Sequence, residues 1–292
     1  MSSSLKILAP AKVNIGLKVL HNRNDGFHNI ESIFQTVDLC DELEVSLLDE
    51  TDKKNTCDVE CDSMILPAEN TITKAYEAFC DSTGFDSGVK VFIKKKIPSG
   101  GGLGGGSSDA ASFIVALSKL SGISLSDSLM DFVASKTGSD VFFFLHSGYF
   151  ENGKGCALVS GRGEIVRKIT PRRDLNFLLV FPPVHSSTKE AYGLVDKAFE
   201  NGKDVFCPPF ENLEKMYYSP VSDWKFANSF TPVLKEKYSL IDSALGFIIN
   251  SKADWAEMSG SGATVFGVFE SENAVEAALL KCPKEWRCVL AH

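Results

Sequence analysis

The segment that most constrains this chain is a run of glycines near its middle, Pro98-Ser-Gly-Gly-Gly-Leu-Gly-Gly-Gly-Ser-Ser-Asp109. Six glycines lie between Gly100 and Gly106, and glycine lets a backbone approach a ligand closely and turn successive N–H groups toward it. An alternating pattern typical of a strand precedes the run, and a helical apolar pattern follows it. A flexible linker is the alternative, but linkers do not usually join a strand to a capped helix. Strand, glycine loop and helix N-terminus together predict a site for phosphate groups.

Two better-known phosphate loops do not fit this segment. A Walker loop needs a lysine after Gly-x-x-x-x-Gly, and counting from Gly101 that position holds Ser107. The dinucleotide pattern Gly-x-Gly-x-x-Gly does match from Gly100, but in dinucleotide-binding folds it follows a strand buried on both faces. Here the preceding strand alternates Val89 and Val91 with lysines, which predicts one exposed face. The pattern therefore disfavours a dehydrogenase.

Net charge and hydropathy further limit the classes of protein to which this chain can belong. The 292 residues carry a net charge of −8, which disfavours a nucleic-acid-binding protein because such proteins need a basic surface. Hydrophobic residues make up 44% of the chain, enough for a substantial core, but apolar runs such as 177–184 are too short to span a bilayer. The first 18 residues lack the charged-then-apolar pattern of an export signal. We therefore expect a cytoplasmic protein whose eight cysteines are reduced and bind no metal.

Strand and helix patterns mix along the chain without strict alternation, which predicts an α+β fold in both halves. A polar turn at 170–173 predicts a boundary between two domains, 1–170 and 171–292. The segment 201–230 has weak periodicity and receives no assignment.

Five local patterns are specific enough to be compared with a structure. They are a half-buried, alternating strand at 13–19, a helix at 72–79 capped by Asn70 or Thr71, a hairpin carrying an insertion at 149–154, a capping box at Ser187–Glu190 that opens a helix through Phe199, and a helix that begins at Thr231-Pro232 with proline first.

Three segments together resemble a known kinase superfamily. They are Pro10-Ala-Lys-Val-Asn14, the Pro98–Ser108 loop and Met258-Ser-Gly-Ser-Gly-Ala263, in the order and at the distances found in the galactose, homoserine, mevalonate and phosphomevalonate (GHMP) kinases. Arg23-Asn-Asp-Gly-Phe-His28 and Gly138-Ser-Asp-Val141 are similar to one branch, whose members act on a substrate that carries a cytidine diphosphate group. The resemblance covers most of the chain but is weak from 201 to 230.

This resemblance implies a two-domain α+β fold, with a ribosomal-protein-like N-terminal domain, a ferredoxin-like C-terminal domain and the active site between them. It implies ATP and Mg²⁺ as cofactors. The implied reaction phosphorylates the tertiary 2-hydroxyl of a methylerythritol linked to cytidine diphosphate, a step in non-mevalonate isoprenoid biosynthesis. It implies a small-molecule partner and no nucleic acid, membrane or obligatory protein partner.

The resemblance assigns catalysis to Lys12 and Asp140. On the sequence alone, Lys12, Asn14 and Lys18 share a strand face that could simply be solvated, and Asp140 could cap a turn or helix. The resemblance makes Asp140 the base that accepts the hydroxyl proton. It makes Lys12 the group that orients this base and stabilises charge on the phosphoryl oxygens. Asn14 is implied to contact the substrate.

The nucleotide is assigned to the glycine loop and two flanking positions. Asn70 and Lys96 are implied to line the adenosine, and Ser107 and Ser108 to meet phosphate oxygens, with Ser108 also at the magnesium ion. Asp109 is interpreted as a residue of the helix's first turn that complements its dipole. The implied nucleotide residues are Asn70, Lys96, Pro98, Gly100, Gly101, Gly102, Leu103, Gly104, Gly105, Gly106, Ser107 and Ser108.

The cytosine is assigned to Phe27 and His28, since an aromatic face stacks on a base and an imidazole can hydrogen-bond its edge. The family usually has tyrosine where this chain has Phe27. His185 lies about where the family places a second stacking aromatic, and Thr188 either reaches the substrate or caps the following helix. The turn facing phosphates and substrate is assigned to Gly260, Ser261 and Gly262.

Two other functions stay open on the sequence. Another GHMP kinase, of the homoserine or mevalonate type, shares the three motifs, but its substrate has no base and needs no stacking platform such as Asp25-Gly-Phe-His28. An RNA-binding module is the alternative from a different class, because the N-terminal fold recurs among ribosomal proteins. The acidic charge and the phosphate loop both disfavour it.

Overall fold

The computed structural model describes residues 4–48 and 54–292. The strands in these residues are β1 Ser4–Asn22, β2 His28–Leu47, β3 Cys57–Cys61, β4 Val89–Lys94, β5 Cys156–Ser160, β6 Ile165–Lys168, β7 Asn176–Phe181, β8 Trp255–Met258, β9 Val265–Phe269 and β10 Arg287–Ala291. The helices are α1 Thr71–Thr83, α2 Gly105–Ser121, α3 Asp127–Thr137, α4 Ser139–His146, α5 Tyr149–Asn152, α6 Thr188–Glu200, α7 Phe210–Tyr217, α8 Phe230–Lys237, α9 Ser239–Asn250 and α10 Glu272–Leu279.

The first sheet is built around a long antiparallel pair, β1 and β2. On its other edge β2 pairs with β5 near its start and with β4 near its end, while β3 adds to β4 in parallel and β6 to β5. Helices α1 to α4 lie together, and α2 contacts both β1 and β2. Apolar side chains from sheet and helices, such as Phe34, Phe79 and Phe113, are fully or almost fully buried between them. This packing fixes the start of α2, and with it the glycine loop, beside β1.

The second sheet has four antiparallel strands in the order β10-β7-β9-β8. Numbered within this half, the order is 4-1-3-2, which is that of a ferredoxin-like sheet. Helices α9 and α10 contact this sheet, and α6 contacts β1 of the first sheet. A second core cluster joins the halves, because Val13 and Ile15 of β1 are buried together with Phe177 and Phe266 of the second sheet. The predicted α+β class and the ferredoxin-like C-terminal half are confirmed.

The segment without a sequence assignment, 201–230, contains α7, a short 3-10 turn and a strap, Ala227–Ser229, that pairs with β1. The Leu17 N–H donates to the Ala227 carbonyl and the Ser229 N–H donates to the Leu17 carbonyl, both at 2.8 Å. The Asn228 side chain donates to the carbonyls of Met258 and Gly260. The strap therefore connects β1 to the turn that follows β8.

Several local predictions are confirmed: the strand at 13–19 lies in β1, and α1 covers the predicted helix with Asn70 as its cap. The half-buried assignment of the strand is wrong, because Lys12 and Asn14 are buried as well as Val13 and Ile15. The polar face of this strand lies under α4 and the glycine loop rather than in solvent.

Four other expectations need correction. Segment 149–154 forms α5 instead of extending a hairpin. Ser187 precedes α6, but its side chain accepts no helix hydrogen bond, so no capping box forms there. Helix α8 begins at Phe230, which makes Pro232 its third residue. The expectation that all cysteines are reduced is wrong for one pair, since Cys282 and Cys288 form a disulfide. Within the described residues, no helix has the length and apolar character needed to cross a bilayer.

Candidate active site

A cleft of about 900 Å³ brings together most of the predicted site residues. Its walls come from β1, the turn before β2, the glycine loop, the start of α4, helix α6 and the turn after β8. These elements belong to both sheets, so neither half of the chain forms the cleft alone.

The glycine loop passes between β1 and the turn after β8. The Lys12 N–H donates to the Leu103 carbonyl at 3.0 Å, and the Ser259 hydroxyl donates to the Gly102 carbonyl at 2.9 Å. Gly102 has a φ of +75°, and a Cβ added there would overlap the Ser259 carbonyl. Gly104, at φ +70°, leads into α2. The loop thus needs glycine both for its backbone conformation and for this close approach.

The start of α1 holds the other side of the loop. The Asn70 carboxamide oxygen accepts from the N–H groups of Ile72 and Thr73, and the Thr71 hydroxyl donates to the Gly106 carbonyl at 2.8 Å. Asn70 itself lines the cleft. Its capping role and its predicted place beside the nucleotide are therefore compatible.

Of the predicted nucleotide residues in the loop, Pro98 and those from Gly100 to Ser107 line the cleft, as does Ser99, which was not predicted. Ser108 does not, since it is fully buried in the first turn of α2. Its hydroxyl has no hydrogen-bond partner in the described part of the chain. A hydroxyl oxygen without a hydrogen-bond partner beside the glycine loop is a suitable ligand for Mg²⁺. This ion takes oxygen ligands and is usually bound by few protein groups. No cluster of three or more His, Cys, Asp or Glu side chains suited to a metal occurs among residues 4–48 and 54–292.

The assignment of Lys96 to the nucleotide is corrected by the structure. The Lys96 ammonium lies outside the cleft and pairs with Glu42 at 2.5 Å on the exposed surface. Lys95 lines the cleft instead, and its ammonium is held between the carboxylates of Asp41 and Asp109. The two lysines follow β4 in succession, and their side chains point in different directions. An assignment that is wrong by one position therefore selects a lysine whose side chain lies outside the cleft.

The prediction that Asp109 lies in the first turn of its helix is wrong, because Asp109 is the fifth residue of α2 and no acidic residue lies in the first turn. Its carboxylate is almost fully buried, and one oxygen accepts from Lys95 at 2.8 Å while the other has no partner in the described residues. Burial raises the pKa of Asp109 to about 7, against the opposing pull of Lys95. The ion-paired cluster of Asp41, Lys95 and Asp109 joins the end of β4 to the N-terminal half of α2, on both sides of the glycine loop.

Lys12 and Asp140 meet at the centre of the cleft. The Lys12 ammonium is 3.5 Å from the Asp140 carboxylate and donates to the Asn14 carboxamide oxygen at 2.7 Å. It also lies 4.5 Å from the centroid of the Phe34 ring. Burial lowers the pKa of Lys12, and the Asp140 carboxylate opposes that shift. Asp140 comes from the first turn of α4, so two distant segments create this pair.

The wall farther along β1 is aromatic. Phe27 is half-exposed, and the Arg162 guanidinium lies 3.7 Å from the centroid of its ring. His28 is buried, stacks on Tyr192 with ring centroids 4.8 Å apart and an angle of 21°, and makes a 2.7 Å contact with the Asp196 carboxylate. The side chains at this wall therefore come from the turn before β2, from α6 and from the turn after β5.

His185 is not part of this aromatic wall. It is exposed and lies against the glycine loop, where a Cβ at Gly100 would be 3.1 Å from its ring. The second aromatic ring of the wall is Tyr192, seven residues further along the chain and within α6, so the structure does not place His185 at the second stacking position. Thr188 does line the cleft, and its hydroxyl is 2.9 Å from that of Ser261. Gly260 lines the cleft beside Ser261, while Gly262 lies behind them against Met258.

Sequence reasoning did not assign several charged and aromatic residues of this cleft, among them Lys95, Arg162, Tyr192 and Asp196. One signal was available, because Thr188, Tyr192 and Asp196 are spaced i, i+4 and i+8 and must share one face of a helix. Nothing in the sequence around Lys95 or Arg162 distinguishes them from surface cations.

Comparison with known families finds two matches. The model described as "GHMP kinases N terminal domain" matches residues 70–148, and "GHMP kinases C terminal" matches residues 210–288. Together they cover more than half of the chain and include the glycine loop, Asp140 and the turn at 259–262.

Similar proteins match over nearly their whole length. A protein of Treponema pallidum, named 4-diphosphocytidyl-2-C-methyl-D-erythritol kinase, is 37% identical over 289 residues, 97% of this chain and 96% of the relative. A protein of the same name from Thermotoga maritima is 37% identical over 274 residues, 92% and 93% of the two chains.

Two solved structures have similar folds. The crystal structure of a 4-(cytidine 5'-diphospho)-2C-methyl-D-erythritol kinase has a TM-score of 0.74 at 25% identity, covering 98% of this chain and 99% of that one. A homoserine kinase from Cytophaga hutchinsonii has a TM-score of 0.69 at 19% identity, covering 100% and 95%, which supports the fold alone.

Proposed function

The chain belongs to the GHMP kinase family, and on that premise we propose that it transfers the γ-phosphoryl group of ATP to the 2-hydroxyl of 4-diphosphocytidyl-2-C-methyl-D-erythritol. This substrate is supported by relatives that carry its name and match over nearly the whole length of both chains. It makes the reaction a step in isoprenoid precursor biosynthesis, in the cytoplasm where ATP is available. Homoserine and mevalonate are disfavoured because neither would use the aromatic wall.

One observation carries this proposal: a single cleft places the Lys12–Asp140 pair in the same space as a glycine loop and an aromatic wall. Its volume of about 900 Å³ is at the upper end of ordinary ligand sites, as a cleft for two substrates requires. We further propose the two domains 1–170 and 171–292, since the chain passes from the first sheet to the second between Lys168 and Asn176.

The pair at the centre supplies the chemistry on the hydroxyl. Phosphoryl transfer proceeds through a loose transition state, so the attacking hydroxyl loses its proton late and an ordinary carboxylate can accept it. We assign that role to Asp140. Lys12 keeps this carboxylate in place through its ion pair and Asn14 holds Lys12, while the positive charge of Lys12 stabilises the oxygens of the transferring group.

The glycine loop and the start of α2 bind the phosphates through backbone N–H groups and the partial positive charge of the helix N-terminus. Ser107 offers a hydroxyl at the cleft, and the unpartnered hydroxyl of Ser108 would hold magnesium. When bound, magnesium neutralises negative charge on the phosphate oxygens. Asn70 and Lys95 line the part of the cleft assigned to adenosine.

The aromatic wall binds the base of the other substrate. Phe27 and Tyr192 are the two rings available for stacking, and His28 packs against Tyr192. Stacking on a base uses the ring face, so phenylalanine serves as well as tyrosine at position 27.

The test is phosphoryl transfer from labelled ATP to a panel of alcohols. We expect efficient transfer to 4-diphosphocytidyl-2-C-methyl-D-erythritol and little to methylerythritol, homoserine or mevalonate. Excess chelator should abolish transfer, and magnesium should restore it. Equal use of methylerythritol with and without its nucleotide would overturn the assignment of the base wall. Tight RNA binding in a filter assay at low salt, without transfer, would favour the RNA-binding alternative.

A further inference from the structure

Helix α6 presents three side chains to the cleft at intervals of four residues, Thr188, Tyr192 and Asp196. Thr188 contacts the turn after β8, and Tyr192 stacks on His28. Asp196, at the far end, places a carboxylate oxygen 2.7 Å from His28 Nε2. The reaction proposed above does not use this contact between Asp196 and His28.

The contact determines the chemical character of the imidazole. An ionised carboxylate can only accept a hydrogen bond, so Nε2 of His28 must carry the proton. In the neutral imidazole the other nitrogen, Nδ1, then bears a lone pair and is an acceptor. Among residues 4–48 and 54–292 the side chain of His28 has no other hydrogen-bond partner, so Nδ1 is available to a ligand.

The geometry limits the freedom of this ring further. The His28 side chain is only 6% exposed, one face is covered by Tyr192, and Tyr192 in turn packs edge-on against Phe230 with ring centroids 4.9 Å apart. The imidazole therefore cannot easily flip to exchange its two nitrogens. The same arrangement of a histidine oriented by a carboxylate is used where proteins must fix one tautomer.

We propose that Asp196 is a positioning residue that determines base specificity by fixing His28 with Nδ1 as an acceptor. An acceptor at the base wall matches the exocyclic amine of cytosine and opposes the carbonyl that uracil has at the same place. A site built around one hydrogen-bond pattern leaves buried polar groups unpaired when the wrong base enters. The inference rests on the proposed function, because it requires that the base of the substrate lies at this wall.

The experiment compares kcat/KM for the cytidine substrate and its uridine analogue. Asp196→Leu keeps the branching at Cγ and removes the acceptor. We expect the preference for the cytidine substrate to fall about tenfold or more, which corresponds to one lost hydrogen bond of about 1.4 kcal/mol. Asp196→Asn, whose amide can pair with either tautomer, should be intermediate, and Asp196→Glu should restore part of the preference. KM for ATP should not change. Glu200→Gln, on the exposed end of the same helix, is the control and should behave as wild type.

A second measurement does not depend on turnover. The ¹⁵N spectrum of the His28 ring, assigned with a His28→Asn variant, should show Nε2 protonated and Nδ1 bare in the wild type at alkaline pH. In Asp196→Leu the two tautomers should mix. A protonated Nδ1 in the wild type, or a cytidine preference that is unchanged in Asp196→Leu, would overturn the inference. A wild type that does not phosphorylate the cytidine substrate would instead overturn the proposed function, and the spectrum would still decide the role of Asp196.

Discussion

The two ends of the cleft are built on different principles. At the glycine end the ligand-facing groups belong mainly to the backbone, in one continuous segment from Pro98 to Ser107. At the aromatic end they are side chains from separate segments: Phe27 just before β2 and His28 at its start, Arg162 after β5, and Tyr192 and Asp196 on α6. A backbone site can be recognised in a sequence because only glycine fits it, whereas a side-chain site depends on which helix face the rest of the fold turns inward.

The largest effect should come from the pair that lies between these two ends. Asp140→Asn and Lys12→Ala should each lower kcat about a hundredfold or more, because each acts on the reacting groups. The double variant should lose far less than the product of the two effects if they act as one unit. Lys18→Ala is the matched control, since Lys18 lies on the same strand, pairs with Glu31 and does not line the cleft. Wild-type kcat in either single variant would mean that its assigned role is incorrect.

At the glycine end, an alanine substitution should be damaging at one position, Gly102, and tolerated at another, Gly106. At Gly102 an alanine meets both a positive φ and the Ser259 carbonyl, so Gly102→Ala should cost about 1–3 kcal/mol from backbone strain alone and raise KM for ATP about tenfold or more. At Gly106 the nearest atom to an added Cβ is the Thr71 hydroxyl at 3.5 Å, an ordinary contact. Gly106→Ala should therefore keep the wild-type Tm. Similar losses in both variants would indicate that the loop requires flexibility and not this close approach.

Removing an aromatic ring from the aromatic end of the cleft should weaken the binding of one substrate, the alcohol, and leave the binding of ATP unchanged. Phe27→Ala should weaken the binding of the nucleotide-linked alcohol by about 1–3 kcal/mol, which is the usual contribution of one base stacked on one aromatic ring. The loss should appear in KM for the alcohol and hardly in KM for ATP, while Phe27→Tyr should be close to wild type. A matching rise in KM for ATP would contradict the separation of the two ends.

The last prediction concerns the pH dependence of stability at the glycine end. Burial raises the pKa of Asp109 to about 7 in the folded protein, from an ordinary value of 3.8. The folded state therefore holds a proton that the unfolded state has lost between those values, so this group's contribution to stability falls as pH rises from about 4 to about 7. Asp109→Asn should make Tm decline less over that window. Asp81→Asn, at an exposed position of α1, should not, and equal slopes in all three proteins would refute the shift.

The position of the glycine loop at the cleft could be predicted from the sequence, because conformation and residue type are linked there, and its role in binding a nucleotide stays a prediction. Every loop position from Gly100 to Ser107 that was assigned to the nucleotide lines the cleft, and the exception, Ser108, lies one residue deeper in the helix. Lys12 and Asp140 were assigned through family motifs, and the structure places them 3.5 Å apart. Their roles stay predictions until they are tested.

Side-chain direction explains what could not be predicted. Lys95 and Lys96 are adjacent residues of the same type. Lys95 lies at the cleft because its ammonium pairs with the carboxylates of Asp41 and Asp109, which are brought together only by the fold. His185 was assigned from its position after Pro182-Pro183, whereas the ring at the cleft is Tyr192, which lies on the inward face of α6. Burial of the Lys12 face could not be predicted from alternation alone, since a buried polar face and a solvated one have the same pattern.

The strap at Ala227–Ser229 limits how this chain can be recombined with a homologous chain. It hydrogen-bonds to Leu17 in the first half, and its Asn228 side chain holds the carbonyls of Met258 and Gly260 in the second. A chimaera that exchanges everything after residue 170 for a homologue's sequence would therefore also import the strap, and with it the spacing between β1 and the turn at the cleft. The active site depends on the contact between the two sheets. A chimaera should therefore retain activity only if β1 and the strap that covers it come from the same parent chain.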